Sequence, residues 1–254
     1  MDEIRLNRYL AQCGLGSRRE CDEIIASGAI VINGKRTTRL GLRIDPSAVS
    51  IEYNGKKIGL PDTMEYIAYH KSRGTIVTAA DPDGRETIYD ALKKAGCAAD
   101  HLKYVGRLDR NSEGLLLFTN DGDLIHALTH PRFEIKKVYQ VRTDKALDVS
   151  DAQKMIYDGI ESEGQNLHAG AIKTLQEKGG GKEYWYAVDL YEGKNRQIRR
   201  MFEALGYTVV RLKRVQYSVV KLGDLQRGRY RRLEEREITG LKSKGHPVKK
   251  KRKK

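Results

Sequence analysis

The amino-acid sequence predicts an α+β fold: a small helix-turn-helix-β module, then a larger domain on a mixed, largely antiparallel sheet. Three observations carry this. Residues 1–58 hold two short helical stripes followed by alternating apolar pairs. Two Asn-Gly dipeptides, Asn33-Gly34 and Asn54-Gly55, mark tight hairpins inside that stretch. After a turn-rich break at 59–63, strand patterns mix with a few helices without the regular alternation of a doubly wound sheet.

In the first module, Ile4, Leu6, Tyr9, Leu10 and Cys13 fall at roughly helical spacing, and Gly14 and Gly16 end the stripe. Ser17 and Glu20 have the spacing of a capping box, which opens a second helix reaching about Ser27. Ile30 and Ile32 alternate up to the first Asn-Gly, and Val49, Ile51 and Tyr53 precede the second. Arg5, Arg8, Arg18 and Arg19 cluster on this helix pair and its turn. Alone, such a cluster reads either as a solvated face or as a phosphate-binding one.

The second domain spans 64–241. Strands are predicted at 66–70, 75–79, 115–119, 138–142, 184–191 and 207–217, and helices at 87–95, 123–129, 148–157 and 195–205. Asn195 is placed to cap the last helix, Ile198, Met201, Phe202 and Leu205 to form its apolar stripe, and Gly206 to stop it. Gly179-Gly180-Gly181 has no helix after it and reads as a loop.

Composition narrows the function. The chain has 254 residues with 48 Lys and Arg against 34 Asp and Glu, a net charge of +14. Much of that excess lies in the stretch 242–254, which holds Lys242, Lys244 and the run Lys249 to Lys254 and no acid. Such a tail cannot bury apolar surface and is expected to be disordered, serving either solubility or attraction to a polyphosphate. Cys13, Cys21 and Cys97 form no Cys-x-x-Cys pair, so neither a disulfide framework nor a zinc site is expected. A charged beginning without an apolar core, and no long apolar stretch, predict a soluble cytoplasmic protein with no membrane role. No P-loop, dinucleotide fingerprint or His-Glu-x-x-His motif is present.

One segment carries chemistry: GRLDRNSEGLLLFTNDG over 106–122, a charged loop running into an apolar strand. There Asp109 lies between Arg107 and Arg110. It reads either as a loop ion pair or as a carboxylate fixed at the mouth of a rigid strand.

Longer strings reach further than these patterns. LNRYLAQCGLGSRRECDEIIASGAIVINGKR resembles the S4 RNA-binding domain. GRLDRNSEGLLLFTNDG resembles the signature of the RsuA-type ribosomal pseudouridine synthases, and further motifs follow in that family's order. The resemblance implies that Asp109 is the essential carboxylate and that Arg107 enters the RNA stack where the uridine flips out. Lys137-Val138-Tyr139 matches the next motif, so Tyr139 packs on the flipped base, with Lys137 beside it on the RNA. In GKNRQIRRM, Arg199 matches the arginine that pairs with the aspartate; in VRLKR, Leu212 helps wall the uracil pocket. One departure stands out: His70-Lys71-Ser72-Arg73-Gly74 replaces the family's usual Asn-Lys-Pro-x-Gly.

The implied reaction breaks a glycosidic bond, rotates the uracil and rejoins it through carbon. It therefore needs no cofactor, no metal and no group donor. The base must leave the stack at a cost of a few kcal/mol. Whether Asp109 attacks C1′, attacks C6 or takes a ribose proton stays open. The implied partner is ribosomal RNA. The sequence around Glu183-Tyr184-Trp185-Tyr186 looks closer to members acting on the large (23S) subunit than on the small (16S) one. Such enzymes act as monomers with no obligate protein partner. The rival reading is a non-catalytic S4-containing assembly factor on a dead scaffold.

Overall fold

The computed structural model describes residues 3–175 and 183–244. The described residues fall into two compact units, 3–65 with 120–122, and 66–119 with 123–175 and 183–244.

The first unit runs β1 (Ile4–Arg5), α1 (Leu6–Gln12), α2 (Arg18–Ala26), β2 (Ile30–Ile32), β3 (Lys35–Thr37), β4 (Arg43–Ile44), β5 (Ile51–Tyr53) and β6 (Lys56–Ile58). Ile4 is not helical as its spacing predicts. It pairs with Ile44 in a two-stranded ladder, and α1 starts at Leu6. The predicted capping box is present: Ser17 Oγ accepts from Glu20 N, and Glu20 Oε2 accepts from Ser17 N. Strands β3-β2-β5-β6 form an antiparallel sheet. Its outer hairpins turn at Asn33-Gly34 (φ +48° and +77°) and Asn54-Gly55 (φ +49° and +73°), the paired left-handed residues of a type I′ turn. Leu6, Leu10, Cys21, Ile25, Ile30 and Ile51 fill a core of its own beneath this sheet.

The second unit runs β7 (Tyr66–Lys71), α3 (Ile88–Lys94), β8 (Lys103–Val105), β9 (Glu113–Thr119), α4 (Gly122–Thr129), β10 (Lys137–Thr143), α5 (Val149–Tyr157), β11 (Ile160–Ser162) and β12 (Gln165–Leu167). It continues with β13 (Ala171–Leu175), β14 (Tyr184–Leu190), α6 (Gln197–Ala204), β15 (Val209–Tyr217), β16 (Val220–Lys221), β17 (Tyr230–Arg232) and α7 (Glu235–Lys244). The main sheet has the order β13-β14-β10-β15-β9-β7-β17, with β16 on β15 and β8 on β9. Among the described strands of the main sheet only the β15–β9 pairing is parallel, so the α+β class and the largely antiparallel mixed sheet hold. Two apolar clusters pack on this unit, one around Tyr69, Phe118, Tyr139 and Leu212 and the other around Leu117, Leu128 and Tyr217.

Three further local expectations fail. Residues 75–79 form no strand: Ile76 makes one isolated bridge to Thr87, and the Thr78 hydroxyl donates to Ala80 O, a local bond that competes with a ladder. Asn195 does not cap α6. The cap position is Arg196 in the left-handed region (φ +46°), and the Gln197 side chain reaches back to accept from Lys194 N. Helix α7 continues to Lys244, three residues into the stretch expected as tail; 245–254 and the glycine run at 179–181 lie outside the described residues.

Candidate active site

Loop 106–112 joins β8 to β9, a strand buried along its whole length. Leu108 is buried and anchors the loop in the apolar cluster, leaving Asp109 half-buried beside it. The loop closes through Ser112 N donating to Asp109 O at 3.0 Å.

Its backbone is held from below by Lys71, at the end of β7. This side chain is 0 % exposed, and its Nζ donates to Ser72 O and Ser112 O, both at 2.9 Å, and to Arg110 O at 3.4 Å. Gly74 N also donates to Arg110 O (2.8 Å), and Arg110 Nε returns a bond to Gly74 O (3.2 Å). Burial pulls the Lys71 amine down to about 8, and the nearby Asp109 carboxylate opposes that fall. The His70-Lys71-Ser72 departure thus loses a proline but keeps the amine that ties the loop down.

Arg199 comes from α6. It is buried, donating Nη1 to Val209 O at 2.8 Å and Nη2 to Asn111 O at 3.2 Å. Burial lowers its affinity for the proton and Arg196 adds to this, while Asp109 acts in the opposite sense. The expected pairing with Asp109 is therefore a field interaction, with the direct bond going to the carbonyl of Asn111 in the same loop. The Nε of Arg199 is buried without an acceptor.

Tyr139 and Leu212 meet through strand register. Tyr139 lies opposite Arg214 and Val141 opposite Leu212 across β10–β15, so these four side chains share one face. Arg214, 2 % exposed, donates Nε to Leu115 O (2.8 Å) and Nη1 to Arg107 O (3.4 Å) and to the Tyr139 hydroxyl (3.4 Å). It therefore joins the start of the Asp109 loop to the tyrosine. At that crossing Gly114 has φ +111°, and a Cβ there would stand 2.2 Å from Arg214 O. Only glycine lets β9 and β15 come this close.

A recess of about 280 Å³ opens on the Arg107–Tyr139 side, and Lys137, Arg214 and Tyr217 also line it. Among the described residues Asp109, Arg199 and Leu212 do not line it. Arg5, Arg8, Arg18 and Arg19 are exposed on the first unit, on β1, on α1 and in the first turn of α2. Lys71 and Arg214 were not among the residues predicted for the site. A signal existed for Arg214, because it shares the parity of Leu212 in an alternating strand and so had to face inward.

Residues 65–204 match the RNA pseudouridylate synthase family model, and residues 4–50 match the S4 domain model. The chain belongs to the RNA pseudouridylate synthase family. This synthase is 34 % identical over 239 residues to ribosomal large subunit pseudouridine synthase B of Bacillus subtilis (strain 168), covering 94 % of this chain and 96 % of the relative. It is 40 % identical over 226 residues to the protein of that name from Salmonella typhi, covering 86 % and 75 %. Among solved structures it resembles a pseudouridylate synthase with a TM-score of 0.63 at 26 % identity, covering 94 % of this chain and 99 % of that one. No helix among the described residues is long and apolar enough to cross a membrane.

Proposed function

We propose that this synthase isomerises a specific uridine of large-subunit ribosomal RNA to pseudouridine, as a cytoplasmic monomer, with Asp109 as its catalytic carboxylate. The observation that carries the reading is the fixed loop: Asp109 is half-buried, with Lys71 and Arg199 both bonded to carbonyls of its own loop and both within its field. Two cations arranged in this way hold a carboxylate in place without capping its oxygens, which leaves them for a substrate. The large-subunit target is supported by the names of the relatives in Bacillus and Salmonella.

In this reading the uridine leaves the stack, Tyr139 packs on its base and Leu212 walls the pocket. Arg107, exposed at the loop's start, fills the vacated space. The C1′–N1 bond breaks, the uracil turns and C5 bonds to C1′; the proton lost from C5 is balanced by one gained at N1, so nothing is added or removed. The exposed arginines Arg5, Arg8, Arg18 and Arg19 dock folded RNA through phosphates and shape.

Asp109→Asn keeps the shape and removes the charge. Pseudouridine formation should vanish while RNA affinity stays, and an active Asp109→Asn enzyme would sink the assignment. Mapping pseudouridine in both ribosomal RNAs, with and without the protein, checks the target; a change confined to the small-subunit RNA would overturn it.

A further inference from the structure

The recess beside Tyr139 carries positive charge that the protein does not neutralise. Four cations line it, Arg107, Lys137, Lys194 and Arg214, with Glu192 as the one carboxylate on its wall. Glu192 is already engaged, by Lys194 at 3.2 Å and by Gln197 Nε2 at 2.6 Å. Every direct partner of Arg214 is neutral: two carbonyls, the Tyr139 hydroxyl and the face of Tyr217, 5.0 Å away. Its Nη2 is buried with no acceptor at all. Lys137 Nζ donates only to Ile135 O (3.0 Å) and stands 5.4 Å from the centre of the same tyrosine ring.

Arg214 is buried and Lys137 half-buried beside it. The one carboxylate that acts on Lys137, Glu192, is shared with Lys194 and Gln197, and one N–H of Arg214 has no acceptor, which is costly unless something completes the site. A neutral base could accept the hydrogen bond but would not answer the charge. An anion answers both. Gly106 and Arg107 line the recess, and Asp109 is two residues further along the same loop, so at most about 7 Å separates the Arg107 and Asp109 Cα atoms. That is the scale of one nucleotide step.

We propose that the recess binds one phosphodiester of the RNA strand next to the nucleotide presented to Asp109, through Arg214 Nη2 and Lys137 Nζ, with Arg107 at its rim. The inference rests on Asp109 being the catalytic carboxylate. It names the group that fixes the register of the strand at that site.

The test measures binding in full-length Asp109→Asn protein, so that turnover does not enter. Short RNAs spanning the modified uridine each carry one uncharged methylphosphonate at a different linkage. One linkage beside the uridine should weaken binding about tenfold, the worth of one charge-assisted contact. Lys137→Met should weaken the unmodified RNA to a similar extent, reduce the salt slope by about one unit and become indifferent to that linkage. Lys137→Arg should restore affinity and slope, which separates lost charge from lost fold. The proposal is overturned if Lys137→Met leaves affinity and slope unchanged, or if the neutral linkage costs the same in both proteins. It is also overturned if millimolar inorganic phosphate fills the site while no single linkage matters, since the recess would then take a free anion. Failure of the Asp109 reading shows separately, as pseudouridine formed by Asp109→Asn.

Discussion

Lys71 carries its charge fully buried, and three backbone carbonyls receive it. Lys71→Met takes this donor from the carbonyls of Ser72 and Ser112, while Arg110 O keeps Gly74 N, and should cost roughly 2–3 kcal/mol. In the fraction that stays folded, the loosened Asp109 loop should lower kcat on the order of a hundredfold with little change in KM. The sign of the pH effect follows from the depressed value. The folded amine releases its proton near 8 and the unfolded one near 10.5, so between these the unfolded chain holds more protons and stability rises with pH. Lys137, also lowered to about 8 by burial and by Arg214, adds to the same rise. Tyr69 and Tyr89, pushed up to about 12, oppose it only above the ordinary tyrosine range near 10. Urea midpoints measured from pH 8 to 10 should therefore climb, and less steeply in Lys71→Met; equal slopes would refute the burial of this charge. At this scale the sequence marked Asp109, Tyr139 and Arg199 by motif, but motif does not show which atom receives which hydrogen bond. That is why Arg199 was expected on the carboxylate and is found on the carbonyl of Asn111.

At the level of elements, the turns written in Asn-Gly and the Ser17/Glu20 cap were legible because each is a local contest settled within four residues. The hairpin of β11 and β12 was not. Its turn uses Glu163-Gly164 with the same left-handed pair (φ +50° and +68°), but glutamate gives no turn signal. The strand at 75–79 failed the other way, because its apolar residues gain burial without a ladder partner. Gly114 was legible only as a member of a motif, since its role depends on a strand 100 residues later. Gly114→Ala drives a Cβ into backbone that cannot move aside, and should cost more than about 3 kcal/mol. Gly223→Ala, left-handed (φ +55°) but facing open space, should cost only about 1 kcal/mol. Chemical denaturation of the two variants compares them directly. Arg18 and Arg19 place cations in the first turn of α2, where the helix dipole disfavours them. The double change Arg18→Ala, Arg19→Ala should leave stability level or slightly raised. RNA binding should weaken, with the salt slope falling by about one unit per lost phosphate contact. A salt slope left unchanged would return these residues to an ordinary solvated face.

Over the whole molecule, the apolar core is divided between two units. Among the described residues the first has a single small core, built on six short strands and two helices, with no residue in either apolar cluster of the second. A core of that size leaves little margin, so one large-to-small change is felt throughout its own unit. Leu10 is fully buried in it, and Leu10→Ala should cost about 2–5 kcal/mol. The loss should fall on the first unit alone, giving an early thermal transition ahead of an unchanged later one. If that unit supplies docking and the second supplies chemistry, the kinetic consequence is separable. The RNA concentration needed for half-maximal rate should rise steeply in Leu10→Ala, while the rate at saturating RNA should stay near the parent value. A variant whose saturated rate fell in step with its affinity would show that the first unit also shapes the chemical step, and that the division of labour drawn from the two cores is wrong.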